Sequence, residues 1–375
     1  MRDILTERPR YMYSHLAYKL PRRILGEEDA MHIRAEYMKS VAFLCIEDEN
    51  GFRQPKATTF RISLQDSVVP TLQWPYFVTA RHCIENAPTN EIWVRINKKA
   101  QGFVDFKTRQ DDWLIHESAD VAILLATLSE EVFEQVDISA ITTDYFVTSE
   151  YRYAGPWLPS VIAANPFEKD GGWLLNVGEE VYFVGLFIQE AGLQRNLPIA
   201  RYGNISRMPD EPIRLRRDKD NTFEQFAYLV ECRSWGGHSG SPAIWAWHGI
   251  MGKGELTFPM GVIQGFMGLV SAHYEIPVKA VKKGDILGEI ITDVNAGIGV
   301  VTPSHFVMEL LNRNDVIEDR AKRRREIQRR RALPTMDTYQ DIIEENTGVT
   351  KDESHRILDR VAQPIKKPES DQEHS

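Results

Sequence analysis

The feature that most restricts this fold is a succession of short apolar runs, rich in β-branched and aromatic residues and each closed by turn residues. Val41 to Ile46, Thr58 to Leu64, Tyr76 to Ala80, Ile92 to Ile96 and Val121 to Leu125 form a first group. Glu180 to Val184, Ile199 to Ser206, Phe226 to Val230, Ala243 to Trp247, Gly261 to Phe266 and Gly297 to Thr302 form a second. Runs of this length at such spacing are the pattern of sandwiches and barrels. The Pro- and Gly-bearing stretch from Tyr153 to Gly172 separates the groups, so the expectation is an all-β protein of two small antiparallel barrels of about six strands each.

With 375 residues, 42% of them hydrophobic, the chain has ample material for such cores. No run of 18 or more apolar residues is present, and the first residues, Met1 to Arg8, mix charges where a signal peptide needs an apolar centre. Three widely spaced cysteines, Cys45, Cys83 and Cys232, form no C-x-x-C pair and read as buried free thiols. Together these features predict a cytoplasmic protein with no metal site and no membrane partner.

Around the β region lie two segments of different texture. Residues 1 to 38 form an N-terminal extension that carries Pro9 and Pro21 and is partly helical from Glu27 to Met38. Residues 39 to 311 make the main domain, with a first barrel over about 40–150 and a second over about 175–303. The pattern turns helical after Pro303, with Ser304 as N-cap ahead of Phe306, Val307, Leu310 and Leu311 at helical spacing, and residues 312 to 375 form a charged helical tail with a disordered end. Eight of the twelve residues from Arg320 to Arg331 are basic, yet the whole tail is neutral and the net charge of −9 sits on the body. That basic helix either binds nucleic acid or an acidic partner, or lies on its own acidic body. A pair of helices between Thr335 and Ala362 reads as an interaction element.

The chemistry centres on Gly236, Gly237, His238, Ser239, Gly240, Ser241 and Pro242. Three glycines in five positions give a turn that side chains would block, so Ser239 is presented rather than packed. A serine hydroxyl attacks only when a base takes its proton, and that base needs an orienting group. Two strand ends upstream supply candidates: His82 closes the run from Tyr76, and Asp120 opens the run to Leu125. A carboxylate at the mouth of an apolar strand needs hydrogen-bond donors, and an imidazole N–H is a natural one.

These three segments resemble the motifs of trypsin-like, chymotrypsin-fold serine proteases. Thr79 to Cys83 resembles T-A-A-H-C, Asp120 to Leu124 resembles D-[IV]-A-L-L, and Gly237 to Pro242 resembles G-[DN]-S-G-G-P, in that family's order and at separations of 38 and 119 residues. Val177 to Gly185, Gly203 to Ser206 and Gly297 to Ser304 are similar to the HtrA-like, bacterial-style branch. The tail is too short and too charged for the PDZ domain that often follows there. The resemblance covers roughly residues 40 to 311 and implies two six-stranded barrels and a serine endopeptidase that needs no cofactor. It implies His82 as general base and then acid, Asp120 as its orienter, Ser239 as the acylated nucleophile, and the amides of Gly237 and Ser239 as the oxyanion hole. It further implies that an extended peptide pairs with the strand Gly261 to Phe266, making Gln264 and Gly265 substrate-binding, and that Arg233 lies at the base of the specificity pocket and favours acidic residues.

Three departures modify that expectation. His238 stands where the family has Asp or Asn, which removes the activation route in which a freed N-terminus pairs with that Asp. Ser241 replaces a glycine, and Cys83 lacks its usual disulfide partner. Two other function classes stay open on the residues alone: a catalytically weak trypsin-like domain that binds protein, and a nucleic-acid-associated protein acting through Arg320 to Arg331.

Overall fold

The computed structural model describes residues 33–126, 128–153, 173–216, 222–232, 237–253, 256–281 and 289–331. The helical pair expected after Thr335, most of the N-terminal extension and the stretch between the two strand groups lie outside them.

The first lobe contains β1 (Val41–Glu47), β2 (Arg53–Gln65), β3 (Gln73–Thr79), β4 (Glu91–Asn97), β5 (Phe103–Arg109), β6 (Leu114–Ile115), β7 (Ala122–Leu125) and β8 (Ile141–Thr142). They form one eight-stranded sheet in the order β5-β4-β1-β2-β3-β7-β6, with β8 alongside β2. A two-stranded link, β9 (Arg152–Tyr153) and β10 (Trp173–Leu174), follows. The second lobe contains β11 (Glu180–Gly185), β12 (Ile199–Arg207), the β13 (Ile213–Arg216) and β14 (Thr222–Gln225) hairpin, β15 (Tyr228–Glu231), β16 (Pro242–Lys253), β17 (Leu256–Val281) and β18 (Glu289–Pro303). Six of these close into a barrel, β11-β12-β15-β18-β17-β16. The architecture is thus all-β in two lobes, as the apolar runs predict. The second lobe is a closed six-stranded barrel, and the first is a larger sheet with an open strand path.

One core cluster spans both lobes. Phe60, Ile62 and Val78 of the first lobe cluster with Ile244, Phe266 and Leu269 of the second, and the ring centroids of Phe60 and Phe266 lie 5.2 Å apart. Burying a side chain of this size is worth about 2–3 kcal/mol, so the seam that carries the candidate site is held by core packing rather than by surface contacts. Helix α1 (Ala35–Ser40) adds Tyr37 to this cluster, and α4 (His305–Leu311) adds Phe306, Val307, Leu310 and Leu311. Two further helices complete the described chain before the tail: α2 (Arg81–Glu85) and α3 (Glu130–Gln135), the latter capped by Ser129.

The basic helix α5 (Asn314–Arg331) lies on the first lobe. Arg320 is buried, donating to the Leu311 carbonyl at 2.7 Å and to the Tyr76 hydroxyl at 3.3 Å. Arg324 reaches Asp66 at 2.8 Å. Asp66 also accepts from the amides of Val68 and Val69 and from Trp74 Nε1, and these donors hold its carboxyl below the usual range although burial pulls the other way. Two of the arginines that make this helix basic therefore serve the fold.

Candidate active site

Strand β3 runs into α2 through Ala80, which is fully buried, and this junction aims His82 at the seam between the lobes. Arg81 fixes the short helix from outside, donating to the carbonyls of His116 and Glu117 at 3.0 Å and pairing with Glu85. Those two carbonyls belong to the turn that delivers Asp120. The same turn is shaped by His116, whose Nδ1 accepts from the amides of Ser118 and Ala119 at 3.2 and 3.0 Å. Accepting at Nδ1 leaves the proton on Nε2, which faces Glu309 of α4 at 3.0 Å. No motif singles out His116, because its partners are set by the turn and by a helix residue 193 positions away.

Asp120 is almost fully buried at the entrance to β7. Its Oδ1 accepts the backbone N–H of His82 at 2.9 Å, and its Oδ2 lies 2.7 Å from His82 Nδ1. The expected partnership of these two residues is therefore present as a two-point contact. Burial works to lower the His82 pKa, but the sulfur of Cys83 and the Asp120 carboxylate outweigh it and hold the imidazolium form well above its ordinary range. The third partner is not engaged: among the described residues no hydrogen bond joins His82 to Ser239, and His82 Nε2 stands 3.6 Å from Cys83 Sγ.

The turn that carries Ser239 is built by glycine and fastened across the seam. Gly237 and Gly240 take φ of 100° and 82°, left-handed values that disfavour any side chain. A Cβ on Gly240 would also drive into the Thr58 carbonyl and the Thr79 hydroxyl. Thr58 of β2 grips the turn from both ends, its amide donating to the Ser239 carbonyl at 3.0 Å and its hydroxyl to the Gly237 carbonyl at 2.8 Å. Thr79 Oγ1 donates to the Thr58 carbonyl at 2.7 Å, which ties this clasp to the strand that leads into His82. From the other side Gly240 donates to the Val270 carbonyl, and Val270 donates to that of Ser241. Among the described residues the amides of Gly237 and Ser239 donate to no acceptor. Thr58 carries no motif that would have singled it out.

His238 is buried with its Nδ1 3.4 Å from Ser241 Oγ and, among the described residues, no partner for Nε2. Burial, aided by Arg201, pushes its pKa down to about 4, so it is a neutral imidazole at ordinary pH.

Gln264 and Gly265 do not join the Ser239 turn: Gln264 Oε1 accepts from the Arg34 amide and its carbonyl from the Tyr37 hydroxyl, while the Tyr153 ring covers Gly265. The residue bonded to the turn is Val270, farther along the same strand, next to Leu269, which pairs with Pro242. Strand β17 has 26 residues. Arg233 lies outside the described residues. The three cysteines are free, and among the described residues no group of His, Cys, Asp or Glu side chains is placed to hold a metal. Among them, too, no helix is long and apolar enough to cross a membrane.

No protein-family model and no curated protein matches the chain. Solved structures with a similar course of the chain include the active form of the Rv3671c protease from M. tuberculosis, at 15% identity and a TM-score of 0.36, with 74% of this chain and 81% of that one covered. Its inactive form is matched at 15% identity and 0.34 over 73% and 88%. The human heparin binding protein is matched at 9% identity and 0.35 over 75% and 92%.

Proposed function

We propose that this protein is a trypsin-like serine endopeptidase whose reacting groups are Ser239, His82 and Asp120. The observation that carries this reading is the two-point contact between His82 and Asp120 at the seam where the glycine turn presents Ser239. Asp120 keeps the His82 proton on Nδ1 and so leaves Nε2 as the acceptor for the serine proton. Ser239 Oγ then attacks the scissile carbonyl, His82 returns the proton to the leaving amine, and water hydrolyses the acyl-enzyme by the reverse sequence. The amides of Gly237 and Ser239 receive the developing oxyanion, each donor typically worth about 3 kcal/mol in the transition state. The pairing of β16 with β17 ends at Leu269, whereas β18 continues along β17 to Val281. An extended peptide fits there by strand addition, beside Ser271 and Ala272.

A fluorophosphonate probe tests the reading directly. The folded protein reacts once the pH passes the raised His82 midpoint and Ser239→Ala does not; absence of reaction in correctly folded wild type across the pH range in which it stays folded overturns it. A second reading, a trypsin-like domain that binds protein without turnover, draws on the Cys83 sulfur that faces His82 Nε2. It predicts partner binding unaffected by Ser239→Ala and no probe reaction.

A further inference from the structure

We infer that Gln225, a residue of the second lobe, is a positioning residue for the His82–Asp120 pair in the proposed hydrolase reaction, and the inference rests on that proposed function. Both carboxylate oxygens of Asp120 are taken up by His82, so the aspartate must be located through its main chain. Gln225 does this: its Oε1 accepts the Asp120 backbone N–H at 3.1 Å, across 105 residues of sequence and across the lobe seam.

The amide is itself held at its other end. Its Nε2 donates to Thr302 Oγ1 at 3.2 Å and to Ser271 Oγ at 3.4 Å, and Ser271 Oγ in turn donates to the Val300 carbonyl at 3.3 Å. Gln225, Ser271, Thr302 and Asp120 are all buried, so this chain of bonds is shielded from water. One face of the glutamine thus belongs to β17 and β18 of the closed barrel, and the other to the turn that carries Asp120. Strand β14 and its hairpin partner β13 lie outside the barrel ladder, and delivery of Gln225 gives this hairpin a defined task. A shift of the Asp120 main chain moves Oδ2 relative to His82 Nδ1, and misplacement on the order of 1 Å at such a pair costs about 100-fold in rate.

The test uses the full chain with Gln225→Leu and Gln225→Glu. Leucine keeps the volume and removes the bond; glutamate keeps an acceptor for the Asp120 amide but adds a negative charge. Expected for Gln225→Leu is fluorophosphonate reaction slower by about 10-fold to 100-fold, with reversible binding of the probe unchanged, and loss of the downfield NMR signal of the His82 Nδ1 proton. Expected for Gln225→Glu is that signal retained and the acid limb of the rate profile moved to higher pH, since a second carboxylate favours the imidazolium. Wild-type reaction rate, pH midpoint and downfield signal in Gln225→Leu overturn the inference. If the wild type does not react with the probe, the function fails while the downfield signal still decides the role of Gln225. If Gln225→Leu does not fold, Gln225→Met, which also lacks the acceptor, decides it by the same rate and downfield signal.

Discussion

His82 and Asp120 meet at two points, main chain to Oδ1 at 2.9 Å and Nδ1 to Oδ2 at 2.7 Å, so the imidazole has neither rotational nor tautomeric freedom. Asp120→Asn preserves the shape and presents an amide that pairs with the wrong tautomer. The expected loss in acylation rate is on the order of 10⁴-fold, with the far-UV circular dichroism unchanged. Retention of more than a tenth of the wild-type rate would contradict the role assigned to Asp120.

Cys83 stands at the ring nitrogen of His82 that the proposed function gives to Ser239. Its sulfur lies 3.6 Å from Nε2 and contributes to the raised pKa of the imidazole. A base with a raised pKa is deprotonated only at higher pH, so the acid limb of the fluorophosphonate rate profile lies above the ordinary histidine midpoint of about 6.5. Cys83→Ala removes one of the raising influences and frees Nε2; the limb moves to lower pH and the rate at pH 7 increases. An unmoved midpoint in the variant would count against the contact.

His238 governs stability in acid. Folded, its pKa is about 4, whereas in the unfolded chain it returns to about 6.5. Between these values the unfolded chain binds a proton that the folded protein refuses, so stability is lost as pH falls from about 6.5 to about 4, by about 3 kcal/mol in total. His238→Phe removes that contribution. Urea titrations at pH 7.5 and 4.5 should differ less for the variant than for wild type, and an equal difference would exclude His238 as a source of acid sensitivity.

Gly240 and Gly102 share a left-handed backbone and differ in their surroundings. Gly102, with φ of 96° and nothing within 4 Å of the place a methyl group would take, loses only about 1–2 kcal/mol on change to alanine. Gly240→Ala meets the same backbone cost and in addition forces its methyl into Thr58 and Thr79, so the turn must leave the seam. Thermal melts should place Gly240→Ala below Gly102→Ala, with a loss of about 3 kcal/mol or more. Equal melting temperatures would show that the seam yields at little cost.

Much of the fold is legible in the chain because strand formation here is a local matter. Val41 to Ile46 and Ile92 to Ile96 lie within β1 and β4, and Gly297 to Thr302 lies at the end of β18. Phe103 to Arg109 does not stand out as an apolar run because its apolar residues alternate with charged ones; it is paired only with β4, at the edge of the sheet. The site divides along the same line. His82, Asp120 and Ser239 stand out in sequence because each sits at the end of an apolar run or in a glycine turn, settings that few other residues of their type share.

By itself, then, the sequence determined an all-β chain in two groups of strands and three polar residues with complementary chemistry. Only the tertiary structure decided what fastens them. Thr58 grips the serine turn, Gln225 bonds the Asp120 amide, and Val270 of β17 bonds Gly240 and Ser241 beside Ser239. Hydrogen bonds that span the seam depend on register and on the approach of two separately formed lobes, and neither leaves a periodicity or a spacing in the chain. The same holds for Cys83, whose place beside His82 Nε2 is a side-chain orientation that no motif specifies.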